Sequence, residues 1–284
     1  MKCYFLSSSH TEDRIWFRDD DDFISGMNCV AIAALNTGVY VLAFVLMSNH
    51  VHFLLIVDDK SRAKDFFDLF KNLYSRHMHK KYGFWRFLRE NQCDYRDVFP
   101  AEVESVERVV AYILMNPVAA NISLNANSYP WGSGDCYFSR RKPFGRRAGD
   151  FSAREKCRIL KTTIHIPDEY IIEEGGYILP SSYIHRKFVE DVFRTPKRME
   201  YFLMSSSKAR LDGTPAPLPT FRDQNIAGLA KDIALSLFRK EGIADLEPGE
   251  RDRLILEVRR RTGADVKQLS RVLGISPKEI ASIQ

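Results

Sequence analysis

Two short constellations in this chain carry residue types able to do chemistry. The first is 50-HVH-52, at the head of an apolar run. On an extended strand residues i and i+2 point to one face, so His50 and His52 project together while Val51 and Phe53 point to the other. The second is 112-YILMN-116, where Tyr112 and Asn116 stand four apart near the end of a helical pattern and share a face. Converging imidazoles can grip a metal ion, and a phenol can act as a nucleophile. Hydrogen-bonded structural histidines and a core tyrosine fit the same spacings, so neither pair decides the question alone. His77 and His79 are the contrast. A two-residue step on a helix turns by about 200°, so their rings diverge, and they read as solvated or phosphate-facing.

The surrounding elements must bring the two constellations together. A short strand near 2–7 and a helical stretch near 22–35 come first. The β-branched and aromatic run 39-VYVLAFVL-46 then meets 50-HVHFLLIV-57 across the three residues 47–49, which predicts an antiparallel hairpin. Phe66, Leu69, Phe70, Leu73 and Tyr74 recur at helical spacing within 61–83, with Ser61 as a cap. A strand is expected within 84–99 and a second helix over 102–116, ended by Pro117. The order strand, helix, strand, strand, helix, strand, helix is the split βαβ, ferredoxin-like pattern of an α+β domain with one added helix.

Beyond Pro130 the composition changes. The run 140-RRKPFGRR-147 holds five basic residues and no acid, which reads as a linker or a phosphate contact. The stretch 211-LDGTPAPLPT-220 has three prolines and should be an extended linker. The expected domains are therefore 1–138, a basic and helical middle region 139–210, the linker 211–220, and a helical module 221–284. In that module 266-VKQLSRVLGISPKEIASIQ-284 has helix-turn-helix spacing, with Leu269, Leu273, Ile275, Ile280 and Ile283 as its seam, Gly274 at the turn, and Ser276 and Pro277 opening the second helix.

The stretch 39-VYVLAFVLMSNHVHFLLIV-57, followed by 112-YILMNPVAANI-122 and 128-SYPWGSG-134, resembles the REP-associated tyrosine transposases, within the single-tyrosine HUH transposases related to small insertion-sequence enzymes. The resemblance covers about residues 1–138. It implies that His50, His52 and Asn116 are metal ligands and that Tyr112 is the nucleophile. Ser48 stands where the family usually has proline, and Ala119 and Ala120 where an arginine is common.

Such an enzyme cuts single-stranded or hairpin DNA through a 5′-phosphotyrosine. Only on the order of a thousandth of a free tyrosine is ionised at neutral pH, so attack needs charge neutralisation on the phosphate. A divalent metal, Mg²⁺ or Mn²⁺, held by neutral ligands keeps its charge for that task. The alternative is a catalytically lapsed single-stranded DNA or RNA binding protein of the same fold.

Partner expectations follow the charge. From Lys71 to Arg96 there are seven basic residues against two acids, interleaved with aromatic rings, as a nucleic-acid strand would require. Lys71, Arg76, Lys80, Lys81, Arg86 and Arg89 are the expected DNA contacts there. Arg140, Arg141, Lys142, Arg146 and Arg147 are those of the basic run, with Lys278 in the C-terminal module. The formal charge of +5 permits a polyanionic partner without demanding one. Five scattered cysteines without a C-x-x-C pair argue against a disulfide frame or zinc knuckle, and suit a reducing cytoplasm. The apolar run 39–47 is about half of the ~20 residues a membrane helix needs. A cytoplasmic monomer, rather than a homodimer, is the expectation.

Overall fold

The computed structural model describes residues 2–8, 15–85, 88, 93–98, 103–120, 122–140, 142–208 and 223–283. Arg86, Arg89, Arg141 and the proline-rich stretch 211–220 lie outside the described residues. Strands β1 (Lys2–Ser8), β2 (Tyr40–Leu46), β3 (Val51–Val57) and β4 (Cys93–Val98) form one sheet in the order β2-β3-β1-β4, every pair antiparallel. Helices α1 (Asp20–Thr37), α2 (Lys60–Tyr82) and α3 (Val103–Ala119) follow β1, β3 and β4. This is the split βαβ arrangement, with the added helix after β4.

Alternation along β3 divides the layers. Phe53 points to the face covered by α2, where it meets Phe66 and Phe70 edge-on at 5.1 and 5.4 Å. Each of these fully buried rings contributes roughly 1.5–3 kcal/mol by leaving water. His52 points to the opposite face, where α3 packs.

The helix ends depart from the sequence reading at two points. The α2 cap is Asp59, whose carboxylate accepts from the Ser61 and Arg62 amides at 2.7 and 3.4 Å, so Ser61 already lies inside the first turn. Helix α3 does not stop at Asn116. It runs through Pro117 to Ala119, and the Ala120 amide still reaches Asn116 O at 3.0 Å. A proline this close to a helix end removes one hydrogen bond, and the last turn forms without it.

The motif 128-SYPWGSG-134 has a structural role. Leu46 N donates to Trp131 O at 2.8 Å, Ser133 N to Phe44 O at 3.0 Å, and the Tyr129 hydroxyl to Leu46 O at 2.7 Å. The segment thereby pairs the outer edge of β2 along Phe44–Leu46, and His185 N bonds to Val41 O at 2.9 Å further along the same edge. Gly132 is required there, because a Cβ would lie 2.9 Å from Phe44 O.

Residues 142–208 build further structure onto this domain. A two-stranded ribbon, β5 (Arg146–Arg147) with β6 (Ile171–Ile172), and helix α4 (Ala153–Leu160) enclose a small core that includes Ala31 and Ile32 of α1. Helices α5 (Arg186–Phe193) and α6 (Pro196–Lys208) put Val189, Phe193, Met199 and Phe202 into the same core as the sheet. The core therefore continues past residue 138, where the sequence suggested a boundary. Helices α7 (Asp223–Phe238), α8 (Pro248–Thr262), α9 (Val266–Leu273) and α10 (Pro277–Ser282) have a separate core with Leu269, Leu273, Ile275 and Ile280 buried and Ile283 against it. Gly274 ends α9 at φ 68° and Ser276 caps α10, as the spacing predicts. Among the described residues no helix is long and apolar enough to cross a membrane.

Candidate functional site

The turn between β2 and β3 carries the first part of the site. Met47 N bonds to His50 O at 2.8 Å, closing residues 47–50 and leaving His50 just before β3 rather than on it. The turn is pinned from outside by Trp16 N and Phe17 N, which both donate to Ser48 O at 2.7 and 3.0 Å. A second anchor comes from the C-terminal module, where the Ser48 hydroxyl donates to the buried Asp223 carboxylate at 2.7 Å. Asp223 also receives Gln268 and Arg271. A proline at 48, as the resembling family carries, could not make the side-chain bond.

So held, the two imidazoles converge. The His50 and His52 ring centres are 4.9 Å apart. His50 Nδ1 bonds to Asn49 Oδ1 at 2.9 Å, which fixes its ring and points to Asn49 as a positioning residue the sequence reading missed. His52 is 4% exposed, and its Nδ1 has no hydrogen-bond partner. Burial, helped by the neighbouring His50, lowers its pKa to about 3, against a hydrogen bond with Asn116 that acts to raise it. The imidazole is therefore neutral at ordinary pH, the form that binds metals.

Helix α3 supplies the other two residues. The Tyr112 ring stands edge-on to His52 at 5.4 Å and to Phe5 at 5.8 Å, while remaining 47% exposed. Phe5, from β1, also stacks on His52 at 5.5 Å. It locks both rings, and the alternation of the first strand was the available signal for it. Asn116 Nδ2 donates to Tyr112 O at 2.8 Å, which orients the amide that contacts His52. All four residues singled out in the sequence thus meet on one face of the sheet. Two imidazole nitrogens and an amide oxygen form a donor set that fits a divalent cation.

The expected basic contacts are scattered. Lys71, Arg76 and Lys80 lie on α2, across the sheet from Tyr112, and Lys71 pairs with Asp68 at 3.1 Å. Lys81 contacts Asp19, Asp21 and Asp22 at 2.6–3.2 Å, which makes it the least suited to a phosphate. His77 is not solvated, contrary to the sequence reading. It is buried and bonded to Asp22 at 2.7 Å, while His79 is exposed against Trp85. Arg140, Lys142 and Lys278 are exposed. Arg146 lies over Phe151 at 4.1 Å and bonds to Asp150 O, with Arg147 beside it in the ribbon. A cavity of about 880 Å³ between α3, α6 and residues 124–140 is lined by Arg140 but by none of His50, His52, Tyr112 and Asn116.

Comparison with known proteins adds two findings. Residues 16–115 match the family model described as "Transposase IS200 like". Among solved structures, one titled "Structure of the REP associates tyrosine transposase bound to a REP hairpin" is 13% identical, covers 46% of this chain and 75% of that one, and aligns with a TM-score of 0.35. A likeness that shallow adds no weight to the geometry above. No curated protein matches the chain.

Proposed function

We propose that this chain, which carries an IS200-like transposase domain over residues 16–115, cleaves and rejoins single-stranded or hairpin DNA with Tyr112 as the nucleophile. In the first step the Tyr112 oxygen bonds to phosphorus, the bond from phosphorus to the 3′-oxygen breaks, the phenol loses its proton, and the departing oxygen takes one up. The phosphotyrosine keeps the energy of the broken bond, so a free 3′-hydroxyl can reverse the step without ATP. His50, His52 and Asn116 would hold a divalent metal, Mg²⁺ or Mn²⁺, which when bound supplies Lewis acidity and a template for the phosphate.

The chain's own residues do the positioning. Phe5 and His52 hold the Tyr112 ring edge-on. Asn49 and Asn116 fix the two imidazoles. Four separately positioned residues with complementary chemistry, gathered on one face of the sheet beside an exposed phenol, are the observation that carries the reading. The domain division, with the helical C-terminal module as a DNA-binding unit, belongs to the same proposal.

The test is a denaturing gel of purified protein incubated with hairpin oligonucleotides and Mg²⁺ or Mn²⁺. A covalent adduct is expected with the parent chain and none with Tyr112→Phe. An adduct that survives the substitution removes Tyr112 from its role. Binding without an adduct favours the lapsed enzyme.

A further inference from the structure

The face of the sheet that holds His52 also carries a cation with no assigned task. β4 pairs with β1 so that Arg96 stands opposite Phe5, and its guanidinium carbon lies 5.1 Å from the centre of the Phe5 ring. That ring stacks on His52 at an interplanar angle of 22° and meets Tyr112 edge-on. One aromatic ring therefore contacts the basic group, the imidazole and the phenol together. Alternation along β4 sends Asp94 and Arg96 to this face, both exposed. Asp94 does not pair with Arg96, and among the described residues no carboxylate lies within ion-pair distance of it. A guanidinium laid on an aromatic face is held in orientation while its N–H fork stays available at the edge, the arrangement suited to two phosphate oxygens.

We infer that Arg96 is a phosphate-binding residue, taking the backbone phosphate next to the one that Tyr112 attacks. The ligand class is a single-stranded nucleic-acid backbone, and the inference rests on the reading of Tyr112 given above. The neighbouring phosphate, rather than the reacting one, follows from the order of the strands. β1 with its Phe5 ring separates Arg96 on β4 from His52 on β3, so the guanidinium stands beside the His50–His52 site without crowding it. The cation thus sets which phosphate of the strand lies against the phenol.

The experiment uses the full chain and fluorescein-labelled dT20, with anisotropy titrations across a range of NaCl. Each phosphate contact on a single strand contributes about 0.7 to the slope of log K against log salt. The slope for Arg96→Gln should be shallower by about that amount, and Arg96→Lys should restore it. Misfolding would lower the active fraction but not the slope. Adduct formation on a hairpin oligonucleotide should slow roughly tenfold or more in Arg96→Gln. An unchanged slope, or no binding of dT20 by the parent, overturns the assignment. A parent adduct alongside an unchanged slope sinks Arg96 alone, whereas a changed slope without any parent adduct sinks Tyr112 and leaves Arg96 as a backbone contact.

Discussion

Two polar clusters sit on opposite faces of the sheet, each built around a buried histidine, and they differ in how completely they are satisfied. Between α1 and α2, His77 bonds to Asp22, and Asp22 also accepts from Arg18 N at 2.9 Å, Lys81 at 2.9 Å and Tyr82 at 3.0 Å. On the α3 face His52 keeps a nitrogen with no partner, beside an exposed phenol. Asp21, Asp22 and His77 have the shape of a metal site, with ligand atoms within 4.8 Å of one another. The Lys81 ammonium already supplies the positive charge there. Proximity of ligand types thus says less than whether their hydrogen-bonding capacity is spent: a closed cluster stabilises, an open one is available.

Substitutions should separate the two clusters. The largest effect is expected from Tyr112→Phe, which should abolish the covalent adduct on a denaturing gel while leaving the urea midpoint unchanged. Next comes Asp22→Ala, which strips His77 and Lys81 of their shared partner and should cost about 3 kcal/mol in urea unfolding, with adduct yield per folded molecule retained.

The acid limb of the stability curve sharpens the same contrast. Burial acts to raise the Asp22 carboxyl, but bonds from His77, Lys81 and Arg18 N outweigh it and leave its pKa below the ordinary value. A depressed carboxylate contributes stability above its unfolded pKa of about 3.9 and loses it as pH falls through the folded value. Asp22→Asn should therefore flatten the loss of thermal stability below about pH 4. A limb as steep as the parent's would count against the network.

Smaller effects probe the open cluster. Saturating Mn²⁺ should add about 1–3 kcal/mol to the stability of the parent, read as a rise in Tm. That rise should vanish in His50→Ala and persist in Asp21→Asn. If Asp21→Asn removes it and His50→Ala does not, the metal belongs to the other face. The smallest effect is expected from Ser48→Ala, about 1 kcal/mol for one lost bond to Asp223, seen in urea unfolding.

The hairpin was legible because alternation and a short turn are local properties, whereas His50 meets His52 from the 47–50 turn rather than from the strand itself. The meeting of Tyr112 with His52 was not legible, since spacing within α3 does not reveal which face of the sheet it covers; the family resemblance supplied that link. Partnerships between residues far apart in sequence were invisible altogether. Asp22 with His77, Ser48 with Asp223, and 129–133 with the edge of β2 join residues separated by 55 to 175 positions in two of these cases. Helix α3 runs past Pro117 because a proline near a helix end removes a single hydrogen bond, whereas its propensity alone predicts a stop.

The covering of β2 by residues 131–133 bears on how this molecule resists clumping. One margin of the sheet is sealed from within, and at the other, among the described residues, no further strand pairs with β4. Its short sequence 93-CDYRDV-98 sets acid, base and acid along that rim, so a like rim from a second chain would bring ionic groups into poorly hydrated contact. The protection is modest in size, and it stands beside the exposed patch where a polyanion could pass.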